Sequence, residues 1–178
     1  MKIDQLRATQ APLKERYRAE PKAALVTLKA EGRLGEGVTC SVETGKALVE
    51  AGLHPATGGT GEFACSGDML LQALAACAGV TIRAVAAAMG VEIPNGTVHV
   101  EGDLDFRGTL GVAKDARVGF QEIRLTFELE TDASDEQLAT LMRLTERYCV
   151  VYQTLRQPPH IRVSRTQGSP QSGSEPAR

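Results

Sequence analysis

The chain has no tryptophan and only 4% aromatic residues, three Tyr and four Phe. That removes the stacking platforms on which single-strand and RNA binders rely. It also lacks a dominant charge: a formal net charge of −2 and a pI near 6.0 create no field that would draw nucleic acid or an anionic membrane. Cysteines are few, at 40, 65, 77 and 149, with no Cys-x-x-Cys and only three His. Their spacings fit no zinc template, and nothing points to a metal or an organic cofactor. The first twenty residues are polar and do not read as a secretory leader. The longest apolar stretch, 69–91, is interrupted by Gln72, Thr81 and Arg83, whereas a membrane span needs about 20 mostly apolar residues. These absences predict a soluble, cytoplasmic protein whose thiols stay reduced unless they are redox-active, so the cysteines do not form a structural disulfide framework.

What is present is ordinary globular composition, 42% hydrophobic and 24% charged over 178 residues, enough for one domain with a real core. The expected organisation is an N-terminal helical arm at 1–20, a single domain at 21–165, and a disordered Ser/Gly/Pro-rich tail at 166–178. Within the domain, alternating patterns predict strands over about 23–34, 38–43 and 46–51, an antiparallel meander. Residues 52–66, GLHPATGGTGEFACS, read as loop. From about 68 to 89, DMLLQALAACAGVTIRAVAAAM is apolar nearly all round and rich in Ala and Gly, which predicts a helix buried on most faces and closed by Gly90.

Strands follow over 97–106, with Val98, Val100, Leu104 and Phe106 inward, and over 120–131, with Ile123, Leu125, Phe127 and Leu129 inward. Ser134 and Gln137 have the spacing of a capping box and start a helix that reaches Cys149 and continues towards Leu155. Pro158 and Pro159 end it, and HIRVSR at 160–165 reads as a last strand. The order β-β-β-α-β-β-α-β predicts an α+β fold of antiparallel strands around a buried central helix.

Cys77 sits among the smallest residues of that helix. It reads either as a buried small hydrophobe or as a nucleophile whose desolvation a cation must offset. Cys149 follows Glu146-Arg147-Tyr148, surroundings that expose it to positive charge. Cys65, just ahead of the central helix, lies where a macrodipole favours thiolate. It is twelve residues from Cys77, about 18 Å along a helix, so those two do not pair. Cys40 meets Cys65 only if the meander folds over the helix start. The segment around His54 and 56–61 lacks the Lys of a phosphate loop and reads as a mobile border to the site.

The run Leu70, Leu71, Ala73, Ala75, Ala76, Cys77 resembles the central helix of the OsmC/Ohr family, the osmotically inducible and organic hydroperoxide resistance proteins. Glu146-Arg147-Tyr148-Cys149-Val150-Val151 resembles the family's second cysteine motif, usually Cys-Pro-Val, with Val150 in the proline position. The resemblance spans about residues 24–164. It implies an intertwined homodimer with two sites at the subunit interface. It also implies a thiol peroxidase in which Cys77 attacks an organic hydroperoxide, Cys149 resolves the sulfenic acid to a disulfide, and an external dithiol reduces that. Family members set an Arg and a Glu beside the reactive cysteine. Arg33 is the meander's candidate for the Arg; the usual Pro-Glu is replaced by Ser66-Gly67, leaving Asp68 one place later. The alternative is a non-enzymatic relative binding a small apolar ligand or partner around Cys77.

Overall fold

The computed structural model of the chain describes residue 19, the backbone of 32–34, 40–43 and 48, and residues 49–111 and 113–165. Apart from residue 19, the expected arm at 1–20 falls outside the described residues, as do the tail at 166–178 and the side chains of Arg33 and Cys40. Elements run β1 (Gly32–Leu34), β2 (Cys40–Glu43), β3 (Leu48–Gly52), β4 (Ala64–Cys65), α1 (Ser66–Met89), β5 (Asn95–Leu104), α2 (Phe106–Thr109), β6 (Phe120–Glu130), α3 (Asp135–Tyr148) and α4 (Val150–Arg156). This is the expected α+β class.

Two separate sheets flank α1 in the sequence. β1, β2 and β3 form the antiparallel meander, and β4 adds to β3 in parallel. The meander therefore does lead over the helix start: Cys40 pairs with Ala51 and Cys65 with its neighbour Gly52. Two strand spacings still put the Cys40 and Cys65 backbones about 10 Å apart, beyond disulfide reach.

β5 and β6 form a long antiparallel ribbon from Asn95↔Glu130 to Leu104↔Phe120, with an irregularity at Asp103/Leu104. Its register follows from alternation: Val98, Val100 and Leu104 face Phe127, Leu125 and Phe120 on the covered side. A one-residue slip would turn this whole set outward. On the open side, Arg124 is gripped by Asp103, Glu101 and Glu122. Phe106 does not continue the strand. It enters α2, capped by the Asp105 carboxylate, and stacks on His54 with ring centroids 4.9 Å apart.

α1 begins at Cys65, whose side chain caps nothing, and carries Asp68 in its first turn, where the dipole favours a carboxylate. Gly90 ends it at φ 72°, a left-handed conformation that glycine adopts without steric cost, with its N–H turned back on Ala86 and Ala87 carbonyls. α3 starts with the full Ser134–Gln137 capping box. α1 and α3 pack through Ile82, Val85 and Ala86 against Leu141, which is completely buried. Further back along α1, Leu74 and Ala78 pack on Cys149, under Val98, Val100, Ile123 and Leu125 of the ribbon.

Three expectations change. The segment 52–66, read as loop, contains a 3₁₀ turn at Pro55–Thr57 and ends in β4. Residues 160–165 make no strand: they pair with nothing among the described residues, and Ile161 and Val163 are exposed. α1 is not buried on most faces either. Leu74, Ala78, Ile82, Val85 and Ala86 line its one buried side, whereas Val80 is 72% exposed and Leu70, Ala73 and Ala76 stand open. Among the described residues there is too little structure to wrap a helix that is apolar all round. By length and composition α1 is apolar enough to cross a membrane, but here it packs on β5, α3 and α4.

Candidate active site

The expected helix through Cys149 breaks there. Cys149 has extended backbone angles, φ −72° and ψ 109°, so it closes α3 and opens α4. Its own N–H still reaches the Thr145 carbonyl at 2.9 Å, and its carbonyl accepts from Gln153 N–H at 2.9 Å. Side chains lock the corner. Gln153 donates to the Glu146 carbonyl at 2.8 Å, the Tyr152 hydroxyl donates to the Glu146 carboxylate at 3.0 Å, and Arg156 donates to the Tyr152 oxygen at 3.2 Å.

This corner sets the first amides of α4 against Cys77. Burial alone would push the Cys77 thiol up, but hydrogen bonds from the Val151 amide, the Cys149 side chain and the Val150 amide together bring it below its ordinary value. Thr81 lies one turn further along α1, and its hydroxyl donates to the Cys77 carbonyl at 2.7 Å. Cys149 moves the other way: burial first, then its hydrogen bond to Cys77 and repulsion from a Cys77 thiolate, hold its thiol up.

The two cysteines thus touch, but their environments reverse the sequence reading. Cys149, expected to face positive charge, is 1% exposed, and Arg147 lies instead over the Tyr148 ring at 5.6 Å. Cys77, expected to need a cation, is half-buried and is served by neutral dipoles; no cation among the described residues takes part. The reason is the helix break. It turns Cys149 inward onto Leu74 and Ala78 and turns free N–H groups towards Cys77. The sequence signal existed in Val150: where the family motif has proline, this chain keeps an N–H.

Of the other two candidates, Asp68 is not brought to the pair, and the Arg33 side chain lies outside the described residues. Asp68 precedes Cys77 by nine residues, about 13 Å along the axis and half a turn around it. It lines a groove with Gln72, His99 and Glu101 instead. Arg33 pairs with Ser41 on β1, three strands and roughly 14 Å from β4, the strand that leads into α1. Cys65 is free and half-buried, remote from the pair.

Beside the pair, a groove of about 310 Å³ runs between β6 and α4, floored by Leu74, Phe120, Ile123, Leu125 and Leu155 and edged by Arg117 and Arg156. Leu74 is shared between this groove and the packing around Cys149. No cluster of potential metal ligands occurs among the described residues.

A family model described as OsmC-like protein matches residues 59–164. No curated protein matches the sequence. Among solved structures, the chain is similar to an OsmC-like protein from Mycoplasma pneumoniae, with TM-score 0.63 and 19% identity over 75% of this chain and 89% of that one. It is similar to an organic hydroperoxide resistance protein from Elizabethkingia anophelis, with TM-score 0.61 and 15% identity over 76% and 91%. A third, an organic hydroperoxide resistance protein from Legionella pneumophila, gives TM-score 0.59 and 18% identity over 75% and 92%. At such identities the likeness establishes the fold.

Proposed function

The chain belongs to the OsmC-like protein family, and from that premise we propose that it reduces organic hydroperoxides with Cys77 as nucleophile and Cys149 as resolving thiol. The observation that carries this reading is the packing of Cys77 against the buried cluster of Leu74, Ala78 and Cys149, with the Cys77 thiol lowered and the Cys149 thiol raised. A thiolate attacks and a thiol waits, which is the division of labour a two-cysteine peroxidase requires.

The Cys77 sulfur attacks the terminal peroxide oxygen, the O–O bond breaks, and the alkoxide leaves and takes a proton to become the alcohol. Cys77 is now a sulfenic acid. Cys149, deprotonated, attacks that sulfur; the S–O bond breaks, hydroxide leaves as water, and a disulfide remains. An external dithiol returns both thiols, and no cofactor takes part. The groove floored by Leu74, Phe120 and Leu125 is the seat for the organic part of the substrate.

The active unit in this reading is a homodimer. An apolar face on α1, the longest helix among the described residues, stands open at Leu70, Ala73, Ala76 and Val80, and such a face requires a cover. Cys77 borders that face, so a second copy laid on it completes the mouth of the site. Arg33 and Asp68 enter the reading only in that way, across the boundary between protomers.

One equivalent of cumene hydroperoxide or tert-butyl hydroperoxide tests the proposal. Loss of two thiols per chain, with a Cys77–Cys149 disulfide by mass spectrometry, is expected. No loss of thiols leaves the second reading, a non-enzymatic ligand-binding relative, which the absence of Pro-Glu at Ser66-Gly67 favours.

A further inference from the structure

Thr145 is a polar residue buried in the core at 1% exposure, and its hydroxyl oxygen has no hydrogen-bond partner. A helical threonine has a ready local partner in the carbonyl four residues back. Two others in this chain take it: Thr81 bonds the Cys77 carbonyl at 2.7 Å and Thr154 the Val150 carbonyl at 2.8 Å. Thr145 does not, although an unpaired buried hydroxyl is a destabilising feature that a valine of the same shape would remove.

Its position suggests what it waits for. α1 and α3 run antiparallel, with Leu141 against Ile82, Val85 and Ala86 and Cys149 against Leu74 and Ala78. Thr145 therefore lies between the two packed clusters, one turn before Cys149 on the same side of α3. The Cys149 N–H still bonds the Thr145 carbonyl, so the helical turn is intact, and side chains four apart on such a turn are neighbours. The titratable and charged groups nearest to Cys149 are Cys77 on α1, Glu146 and Arg147 on α3, and Tyr152 and Arg156 on α4. Of these, Glu146, Tyr152 and Arg156 are engaged with one another and Arg147 with Tyr148. None of their side chains is a free donor for the Cys149 sulfur, whose donors on α4 are the backbone amides of Tyr152 and Val151.

We infer that Thr145 is a positioning residue for the resolving step: its hydroxyl is unpaired while Cys149 is a thiol and turns to donate to the Cys149 sulfur when that sulfur becomes a thiolate. This rests on the reading of Cys149 as the resolving thiol. A neutral thiol is a weak acceptor and a thiolate a strong one, so the hydroxyl gains its partner only when Cys149 has lost its proton. The bond then made is Cys149 Sγ to Cys77 Sγ, with the sulfenic oxygen leaving as water and an organic hydroperoxide as the oxidant that formed it.

Thr145→Val and Thr145→Ser, in the full-length protein, test the inference. After a pulse of cumene hydroperoxide, dimedone-reactive sulfenic acid on Cys77 should persist about tenfold longer in Thr145→Val, the loss of one hydrogen bond to a charged group. Thr145→Ser should resolve at close to the wild-type rate. The pH midpoint of Cys149 alkylation in reduced protein should rise in Thr145→Val only, while its denaturation midpoint rises or holds; a purely structural role would change stability and leave that pH midpoint alone. If Thr145→Val unfolds, Thr145→Ala carries the same two readings. Wild-type resolution and an unmoved pH midpoint without the hydroxyl overturn the inference. If the wild-type protein forms no disulfide with hydroperoxide, the functional reading fails, and the Cys149 pH midpoint still decides the role of Thr145.

Discussion

Replacing Val150 by proline removes one hydrogen and little else. Val150 is 70% exposed, so its side chain packs on little. It is the first residue of α4, where proline is favoured and its fixed φ suits the helix. Cys149 before it has φ −72° and ψ 109°, close to the conformation a following proline imposes. The family motif usually carries proline at this place, so the corner accommodates the ring. What disappears is the Val150 N–H that bonds Cys77. A hydrogen bond to a charged group contributes about 1.5–3 kcal/mol. Because Cys77 is half-buried and keeps the Val151 amide and the Cys149 side chain as donors, the lower end applies. At about 1.4 kcal/mol per decade, the thiolate fraction at neutral pH, and with it the iodoacetamide rate at Cys77, should fall roughly tenfold. Val150→Ala keeps the N–H and should label like the wild type. Partial alkylation followed by peptide mass spectrometry reads both. An unchanged Cys77 rate in a folded Val150→Pro protein refutes the idea that amides, rather than a cation, hold this thiolate.

Cys77 should be alkylated before Cys149 in the reduced protein at neutral pH; equal, slow labelling of both would argue against thiol chemistry. Val80→Glu puts a charge on the open face of α1 and should shift sedimentation from dimer to monomer, whereas a wild-type protein that is already monomeric at micromolar concentration refutes the homodimer and its expected interface of more than about 2,000 Å². Leu141→Ala empties a fully buried position between α1 and α3 and should lower unfolding free energy by about 2–5 kcal/mol in chemical denaturation.

The strand-and-helix order was legible because each segment has a single strong period. The alternation at 120–131 fixed β6 and its inward face, and Ser134 with Gln137 fixed the start of α3. Phe106 misled because its alternation continues that of β5, while Asp105 beside it caps a new turn. Residues 160–165 alternate like a strand but pair with nothing among the described residues, and a pattern names a strand without naming its partner. The apolar circumference of α1 was equally plain, yet the described residues cover only one side of it. At the site, both cysteines were identifiable; their environments were not. Flanking Arg147 suggested an electropositive Cys149, but a residue's sequence neighbours on a helix point away from it. The break at Cys149, which decides which sulfur faces inward, leaves no periodic signal. Asp68 failed as a neighbour of Cys77 by simple helical arithmetic, a nine-residue offset being half a turn.

The order of the two thiols follows from the charge on the first, and this makes a last prediction. Cys149 is held up by burial, then by its hydrogen bond to Cys77 and by repulsion from the Cys77 thiolate. Oxidation of Cys77 to sulfenic acid removes the negative charge, and with it two of those three influences, leaving burial opposed by hydrogen bonds from the Tyr152 and Val151 amides. Cys149 therefore loses its proton more readily once the first step is over: attack on the peroxide itself arms the resolving thiol. Cys77→Ser reproduces the uncharged state without peroxide, so the pH midpoint of Cys149 alkylation should fall relative to reduced wild type. Stability carries the same sign. The native state favours the protonated Cys149, so that contribution is present below the ordinary thiol range near pH 8.5 and is lost as pH rises through the higher native value. In Cys77→Ser the loss should start in the same ordinary thiol range but end at a lower pH and be smaller than in wild type, measured by denaturant midpoints from pH 7 to 10 against the Cys77→Ser/Cys149→Ser double variant. A Cys149 midpoint that stays put in Cys77→Ser would mean that burial alone governs it, and the timing of the second step would then have to come from Thr145 or from a movement of the α3–α4 corner.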